Sequence, residues 1–278
     1  MIKKFLQEKS KTGLASSTVS HMKSVISGTL NLAVDDEVIT SNPAHRLGKI
    51  QKAKSIGEAC DFLTREELSL LLSTIEEHYP QHHPLALTLA RTGVRFGEAI
   101  ALQWGDLDFN GRFIKVQRSF SRGKVDKPKS GKSRQVDMSL QLKQVLSDLV
   151  HNRKIETVQK GWAGVPEWVF VSENGTIVDG HNWRKRVFNR ALEKAGLRKI
   201  RIHDLRHTYA SLLIQAGESL PYVRDQLGHH SIKVTVDIHG HLAPGGNKDA
   251  VDRLDDISDA TIRNLSATEN KKGLDHTD

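Results

Sequence analysis

The sequence contains a single cysteine, no long apolar run and no block of like charge. Because Cys60 stands alone, an internal disulfide is excluded, which agrees with a reducing cytoplasm. The apolar runs are shorter than the roughly 18 residues that a membrane span needs, and the N-terminus does not form a signal peptide. These absences exclude a disulfide-rich secreted domain and predict a protein without a membrane partner.

A nucleotide-binding signature is also missing. The segment Gly93–Gly97 lacks the glycine spacing and the lysine of a phosphate-binding loop. No βαβ repeat surrounds it, so the strand order that carries a dinucleotide site is not expected. The sequence therefore excludes the common nucleotide-dependent enzyme classes and predicts no cofactor.

The charge of the sequence is clearly basic. Lysine and arginine total 41 against 33 acidic residues, which gives a net charge of +8 over 278 residues. A surplus of this size suits a polyanionic partner, most often nucleic acid. The alternative is a protein that is basic without binding a polyanion.

The first part of the chain predicts helices. Ser16-Ser17 offers an N-cap, and apolar residues recur at helical spacing from Val19 to Val34. Asn42-Pro43 predicts the end of this helix, because the residue before a proline avoids the helical region. Residues 49–60 begin with a basic stretch that contains glycine and few large apolar side chains, which predicts a linker.

The remainder predicts a mainly α fold with a small three-stranded antiparallel sheet (α+β). Thr64 and Glu67 form a capping box at the first helix of this part. Asn110-Gly111 between apolar segments predicts a β-hairpin, and a third strand is expected at 134–138. Residues 168–171 fit a further short strand. Helices are expected over residues 85–90, 98–104, 139–158 and from 182 onward.

Two arginine-containing segments suit phosphate binding. Arg95 lies between Gly93 and Gly97, where the backbone can approach a ligand and the guanidinium can fork onto phosphate oxygens. The alternative is a turn between helices with a surface arginine. His203 and Arg206 are three residues apart at the start of a predicted helix, so they share a face at an end that favours anions.

Two further segments add a lysine and a histidine. Lys129 lies in a lysine-rich loop between predicted strands, which can enter a DNA groove or can be a solvated turn. His229 follows Leu227-Gly228 just after another predicted helix. Arginines stabilise the charge of phosphoryl transfer, and histidine or lysine moves protons, so this set can act without a metal.

Together these segments resemble the conserved boxes of the phage-integrase-type tyrosine recombinases. The order and spacing agree over residues from about 61 to 245, and the matching segments are 92–98, 128–131, 203–210 and 226–231. The earlier helices resemble the later part of the family's core-binding domain. The resemblance implies four parts: a partial, SAM-like core-binding domain at 1–48, a basic linker at 49–60, the catalytic domain at 61–266 and a flexible tail at 267–278.

The resemblance also implies a role for each site residue. Arg95 and Arg206 would clamp the scissile phosphate, and Glu98 would orient the first arginine. Lys129 would be the general acid toward the leaving 5′ oxygen. The remaining implied residues are His203 and His229, which hold the phosphate and assist proton transfer, and the DNA-contacting lysines Lys49, Lys52, Lys54, Lys127 and Lys132.

The resemblance implies double-stranded DNA, at an attachment or recombination site, as the partner. The chain is expected to be a monomer when free and a homo-oligomer on DNA, with a helix after Gly246 packing on a neighbouring protomer. It would work in the cytoplasm of a bacterium, encoded there or by a phage. No metal or other cofactor is implied.

The sequence departs from the family at the nucleophile. His239 stands ten residues after His229, where the family has a tyrosine, and the tyrosines of the chain, Tyr79, Tyr209 and Tyr222, lie elsewhere. An imidazole nitrogen falls short of a phenol oxygen, and misplacement by ~1 Å can cost ~10²-fold in rate. Cleavage is therefore expected to be lost or severely weakened, with DNA binding retained.

Three functions stay open on these residues. The first is a recombinase that still cuts through His239, or whose parent form has a tyrosine there. The second is a non-cutting protein that occupies recombination sites. The third is a metal-dependent hydrolase that uses Asp237, His239 and His241, whose alternating positions fit a strand or loop better than a helix. The resemblance accounts for His241 without a metal.

Overall fold

The computed structural model describes residues 1–45, 47, 62–128, 131–229 and 231–239. The chain divides into two compact units, Met1–Ala59 and Cys60–Asp278. In the described residues no helix has the length and apolar character to cross a membrane. Four groups of predicted features lie outside the described residues: the linker with Lys49, Lys52 and Lys54; Lys129; His241; and the predicted C-terminal helix and tail.

The first unit is a pair of helices, α1 (Ile2–Lys11) and α2 (Ser16–Asp35). The predicted serine cap is wrong, because Ala15 occupies the N-cap of α2 and no side chain caps the helix. The predicted end at Asn42-Pro43 is also wrong. The helix ends at Asp35, and Glu37 then turns the chain with a left-handed φ of 57°. Asn42 instead ties the returning chain to α2 by donating to the Ser27 carbonyl at 3.0 Å.

The second unit begins with α3 (Arg65–His78), α4 (His83–Thr92) and α5 (Phe96–Ala99). The predicted capping box is confirmed, since the Thr64 hydroxyl accepts from the Glu67 amide at 3.2 Å and Glu67 returns a bond to the Thr64 amide at 2.8 Å. The predicted helix over 98–104 is wrong. All four residues from Ala99 to Leu102 are buried, so this stretch is a core crossing rather than an amphipathic helix.

The strands of this unit are β1 (Leu107–Asp108), β2 (Phe113–Val116), β3 (Ser119–Ser121), β4 (Lys124–Asp126) and β5 (Arg134–Asp137). The predicted three-stranded antiparallel sheet is confirmed, in the order β1-β2-β5. A second hairpin, β3-β4, was not predicted. The strand expected at 168–171 is wrong, because Trp168 and Val171 form only isolated bridges.

The remaining described helices follow β5 in the chain. They are α6 (Leu140–Gln159), α7 (Gly180–Trp183), α8 (Asn189–Lys194), α9 (Asp204–Gln215), α10 (Leu220–Leu227) and α11 (Ile232–His239), with a π-helical turn, Arg184–Phe188, joining α7 to α8. Helix α9 lies against α4, and α10 lies against β5. These two contacts bring the predicted arginine and histidine segments to one region.

Candidate active site

The first arginine segment is a tight turn between α4 and α5. Gly93 ends α4 with a left-handed φ of 61°, and a Cβ there would lie 2.5 Å from the Tyr209 ring. Glycine is therefore required at this position by both backbone conformation and space. Arg95 follows as the N-cap of α5 and donates through Nη1 to Glu98 Oε1 at 2.8 Å. Its side chain is 31% exposed, so the guanidinium is anchored at one side and open at the other.

Glu98 is the buried centre of this turn, with a fully buried side chain. Besides Arg95 it binds Arg134, which opens β5 and donates from Nη2 to Oε2 at 2.7 Å. Burial alone would raise the pKa of Glu98, but the hydrogen bond and charge of Arg134, then the amide and charge of Arg95, lower it to about 2. Glu98 is therefore ionised at neutral pH and balances two guanidinium charges.

Arg206, in the first turn of α9, is only 3% exposed. It donates from Nη1 to the Gly93 carbonyl at 2.7 Å and from Nη2 to the Leu227 carbonyl at 2.5 Å. These carbonyls stand at the C-terminal ends of α4 and α10, where the helix dipoles are negative. Burial lowers the pKa of Arg206 to about 9, with smaller contributions from Arg95 and Arg134, so it stays protonated at neutral pH.

His203 occupies the N-cap of α9, one turn before Arg206. Its ring meets that of His207 edge-on, with centroids 5.2 Å apart. Burial lowers the pKa of His203 to about 4, and the charges of His207, Arg206 and Arg95 act in the same direction. The ring is neutral at pH 7, and an anion bound beside it would raise its pKa.

His229 follows a left-handed glycine, Gly228, with a φ of 65°. Its Nδ1 lies 2.9 Å from the hydroxyl of Thr235, which is fully buried in α11. The loop that carries His229 is therefore tied to the helix that ends at His239. The side chain of His239 lies outside the described part of the structure.

The structure thus brings several predicted residues together. The charges of Arg95 and Arg206 act on His203, and the Leu227 carbonyl, two residues before His229, accepts from Arg206. Lys127 and Lys132 are exposed on either side of the predicted lysine loop.

Two features of this region were missed by the sequence analysis. The first is Arg134. The second is a basic helix face on the π-helical turn and α8. It consists of Arg184, Lys185, Arg186 and Arg190, all exposed. The signal was available: four arginine or lysine residues lie within the seven positions 184–190, while the apolar residues among and beside them are buried.

The tyrosines near this region are not reactive groups. Tyr222 donates its hydroxyl to Asp137 Oδ2 at 2.7 Å. Burial raises the pKa of Tyr222, and the hydrogen bond to Asp137 raises it further. Burial also raises the pKa of Tyr209, which is 9% exposed. Within the described residues, no group of three His, Cys, Asp or Glu side chains could hold a metal ion.

The mostly helical fold with its small antiparallel sheet is that of tyrosine recombinase catalytic domains. The model of the phage integrase family matches residues 61–244, and the chain belongs to this family. The ICEBs1 integrase of Bacillus subtilis (strain 168) is 29% identical over 265 residues, which cover 88% of this chain and 67% of that protein. A XerC-like tyrosine recombinase of Caldanaerobacter subterraneus is 24% identical, over 92% of this chain and 70% of the relative.

Two solved structures share the fold. The Tn1549 transposon integrase in complex with a circular intermediate DNA superposes with a TM-score of 0.72 at 23% identity, covering 91% of this chain and 84% of that chain. The XerH recombinase bound to a palindromic difH substrate gives a TM-score of 0.67 at 20% identity, covering 93% of this chain and 72% of that chain.

Proposed function

We propose that this protein is a site-specific DNA recombinase of the tyrosine recombinase type whose strand cleavage is impaired at one position. The observation that carries the proposal is the arginine clamp, Arg95 and Arg206. Arg206 is fixed by two helix-end carbonyls and Arg95 by a buried carboxylate. Both arginines of the proposed clamp are present and anchored, whereas His239 stands where the family has a tyrosine.

In this proposal the clamp holds the scissile phosphate of DNA. Both guanidiniums are anchored by protein groups, so their charges need not reorganise as charge develops on the pentacoordinate phosphorus. His203 and His229 would hold phosphate oxygens and assist proton transfer, and Lys129 would protonate the leaving 5′ oxygen. All of this chemistry is independent of a metal ion.

The group that this chain lacks is the tyrosine nucleophile, which keeps the energy of the broken phosphodiester bond in a covalent link to the protein. In the proposed reaction a phenol oxygen attacks phosphorus, the bond to the 5′ oxygen breaks, and a 3′-phosphotyrosyl link remains for rejoining. An imidazole is shorter, and near-attack geometry tolerates little displacement. Tyr222 and Tyr209 do not fill this role, because the Tyr222 hydroxyl is bound to Asp137 and Tyr209 is buried.

The proposed DNA surface includes the basic helix face. The Tn1549 integrase was solved with DNA, which supports DNA as the partner of this fold. The net charge of +8 supports the same partner. In the described part of the chain, none of the four basic residues of this face forms an ion pair. We further propose that the chain is a monomer when free and assembles on DNA.

The test of the function is binding without cleavage. Duplexes selected by the protein from random-sequence DNA are expected to bind with an affinity that falls linearly on a log–log plot against salt, because counterions are released from phosphates. The same duplexes, nicked to trap covalent intermediates, are expected to yield no adduct with the unmodified chain. A salt-independent affinity would contradict DNA binding, and an acid-labile phosphohistidine at His239 would contradict the impaired cleavage.

The basic helix face gives a second prediction. Lys185 and Arg190 line one shallow concavity, so the double change Lys185→Gln and Arg190→Gln is expected to lower the salt slope by roughly two, about one per phosphate contact. The matched control is Lys143→Gln with Lys154→Gln, which removes equal charge from α6. If the salt dependence of DNA affinity has the same slope for both double variants, the DNA does not contact the basic helix face.

A further inference from the structure

We infer that Arg134 is a positioning residue for the arginine clamp. It holds the carboxylate that anchors Arg95 and the turn that anchors Arg206 in their relative positions. The inference rests on the proposed function of the clamp and extends it to a residue outside the family boxes. Arg134 lies at the start of β5, opposite Val116 of β2, so its backbone is fixed by the sheet. Its side chain is 10% exposed and runs from the sheet to Glu98 on one side and to the Gln226 carbonyl on the other.

The first contact of Arg134 is with Glu98, the carboxylate that anchors Arg95. The Glu98 carboxylate accepts four hydrogen bonds, two from Arg95 and two from Arg134. A carboxylate has about four acceptor positions, so all of them are used. Without Arg134, the buried Glu98 carboxylate would lose two of its four hydrogen bonds. We expect it to rotate toward Arg95, its remaining partner. Arg95 would then be drawn onto the carboxylate and away from the phosphate.

The second contact of Arg134 is with the turn that anchors Arg206. Arg134 Nε donates to the Gln226 carbonyl at 3.1 Å, and the next carbonyl, that of Leu227, accepts from Arg206. Gly228 completes this turn, and a Cβ there would lie 2.7 Å from Arg134 Cδ. The glycine therefore makes room for the Arg134 side chain as well as supplying a left-handed φ. Two buried arginines hold consecutive carbonyls of one turn.

The proposed role of Arg134 is distinct from the docking of α10 on the sheet, which other residues provide. The Gln226 side chain accepts from the Asp137 amide at 2.9 Å, and Tyr222 donates to the Asp137 carboxylate at 2.7 Å. These bonds dock α10 on β5 independently of Arg134. Loss of Arg134 is therefore expected to disturb the clamp while α10 stays in place.

The test is phosphate-ethylation interference on the selected duplexes, because ethylation removes the charge of one phosphate at a time. Arg206→Ala identifies the clamp phosphate: it is the phosphate whose ethylation weakens binding of the unmodified protein but not of this variant. Arg134→Gln is expected to reduce interference at that phosphate by about tenfold, the loss of one charged hydrogen bond, and to leave flanking phosphates unchanged. Arg134→Lys keeps a positive charge beside Glu98, so it is the variant less prone to unfold. Because a lysine cannot bind both Glu98 and the Gln226 carbonyl, the same tenfold reduction of interference at the clamp phosphate is expected.

The matched control is Arg118→Gln. Arg118 forms a 2.6 Å ion pair with the buried Asp106, and its hydrogen-bond partner lies outside the clamp. This variant should retain interference at every phosphate. Retention of the clamp phosphate by both Arg134 variants, with normal melting temperatures, would overturn the inference while leaving the proposed function intact. If no phosphate depends on Arg206, the clamp itself is wrong and the inference falls with it.

Discussion

His239→Tyr is expected to form a covalent 3′-phosphotyrosyl adduct on a nicked duplex that the unmodified protein binds without cutting. The reason is that the fold holds the described residues of the proposed site. Arg206 is fixed between the ends of α4 and α10, and His229 is tied to Thr235 on the helix that ends at His239. Fixed charges aimed at the developing phosphorane act only when a nucleophile attacks, so one side chain can recover many orders of rate.

The measurement is a denaturing gel of labelled DNA at high protein and low salt, because weak affinity would otherwise hide the chemistry. The matched control is His239→Phe, which supplies the aromatic ring without the hydroxyl and should give no adduct. If His239→Tyr binds its duplex as tightly as the unmodified protein and still gives no adduct, the site is altered beyond this position, and the proposed single lesion is wrong.

Local chemistry explains which parts of the fold could be predicted. The Thr64–Glu67 box is determined by neighbouring residues, and the start of α3 follows from it. The β1-β2 hairpin was located correctly, but the predicted two-residue turn is wrong, because the loop is residues 109–112 and Arg112 has the left-handed φ, 53°. The end of α5 could not be predicted this way. Ala99 ends α5, and residues 100–102 continue as a buried turn although their sequence is compatible with a longer helix, so local propensity does not locate this end.

The site shows the same division. Arg95, His203 and Arg206 stand in short motifs, so their types and spacing could be recognised. Arg134 could not, because its importance comes from contacts with Glu98 and Gln226, which lie 36 and 92 residues away. An arginine at the start of a short strand has no local signature that separates it from a surface residue.

The β3-β4 hairpin was missed for a related reason. Its turn is Arg122-Gly123, both with left-handed φ values of 51° and 77°, and arginine is uncommon in that conformation. The strands are only three residues each and mostly exposed, so the single apolar residue in each, Phe120 or Val125, is too short a pattern to indicate a strand. The hairpin nevertheless contributes to the site, because the Phe120 carbonyl would lie 2.5 Å from a Cβ at position 97 and so requires Gly97.

Arg206→Lys, made in the His239→Tyr protein, is expected to lower the rate of adduct formation by about 10²–10³-fold, the cost of removing one preorganised donor. Arg206 uses Nη1 and Nη2 on two carbonyls that lie in different helix ends. A lysine keeps the charge but has a single nitrogen, so it cannot bridge both carbonyls and also face the phosphate. Arg206→Ala should lose at least as much activity and, in addition, destabilise the fold by about 1–3 kcal/mol, because buried carbonyls lose their donor.

The two variants therefore separate catalysis from folding. Arg206→Lys can still donate to one of the two carbonyls, so it is expected to melt between Arg206→Ala and the parent and still to bind flanking DNA. Its adduct rate, measured well below its melting temperature, then reports the clamp. The matched control is Arg201→Ala, three residues before the start of α9, where the side chain is 79% exposed and pairs with Asp204. Asp204 is buried but keeps the hydrogen bond from the backbone amide of residue 201 at 2.7 Å, so this variant should lose little stability and keep its adduct rate. Equal adduct rates for Arg206→Lys and its parent would show that Arg206 supports only the packing of α4, α9 and α10, and that the phosphate is held by other groups.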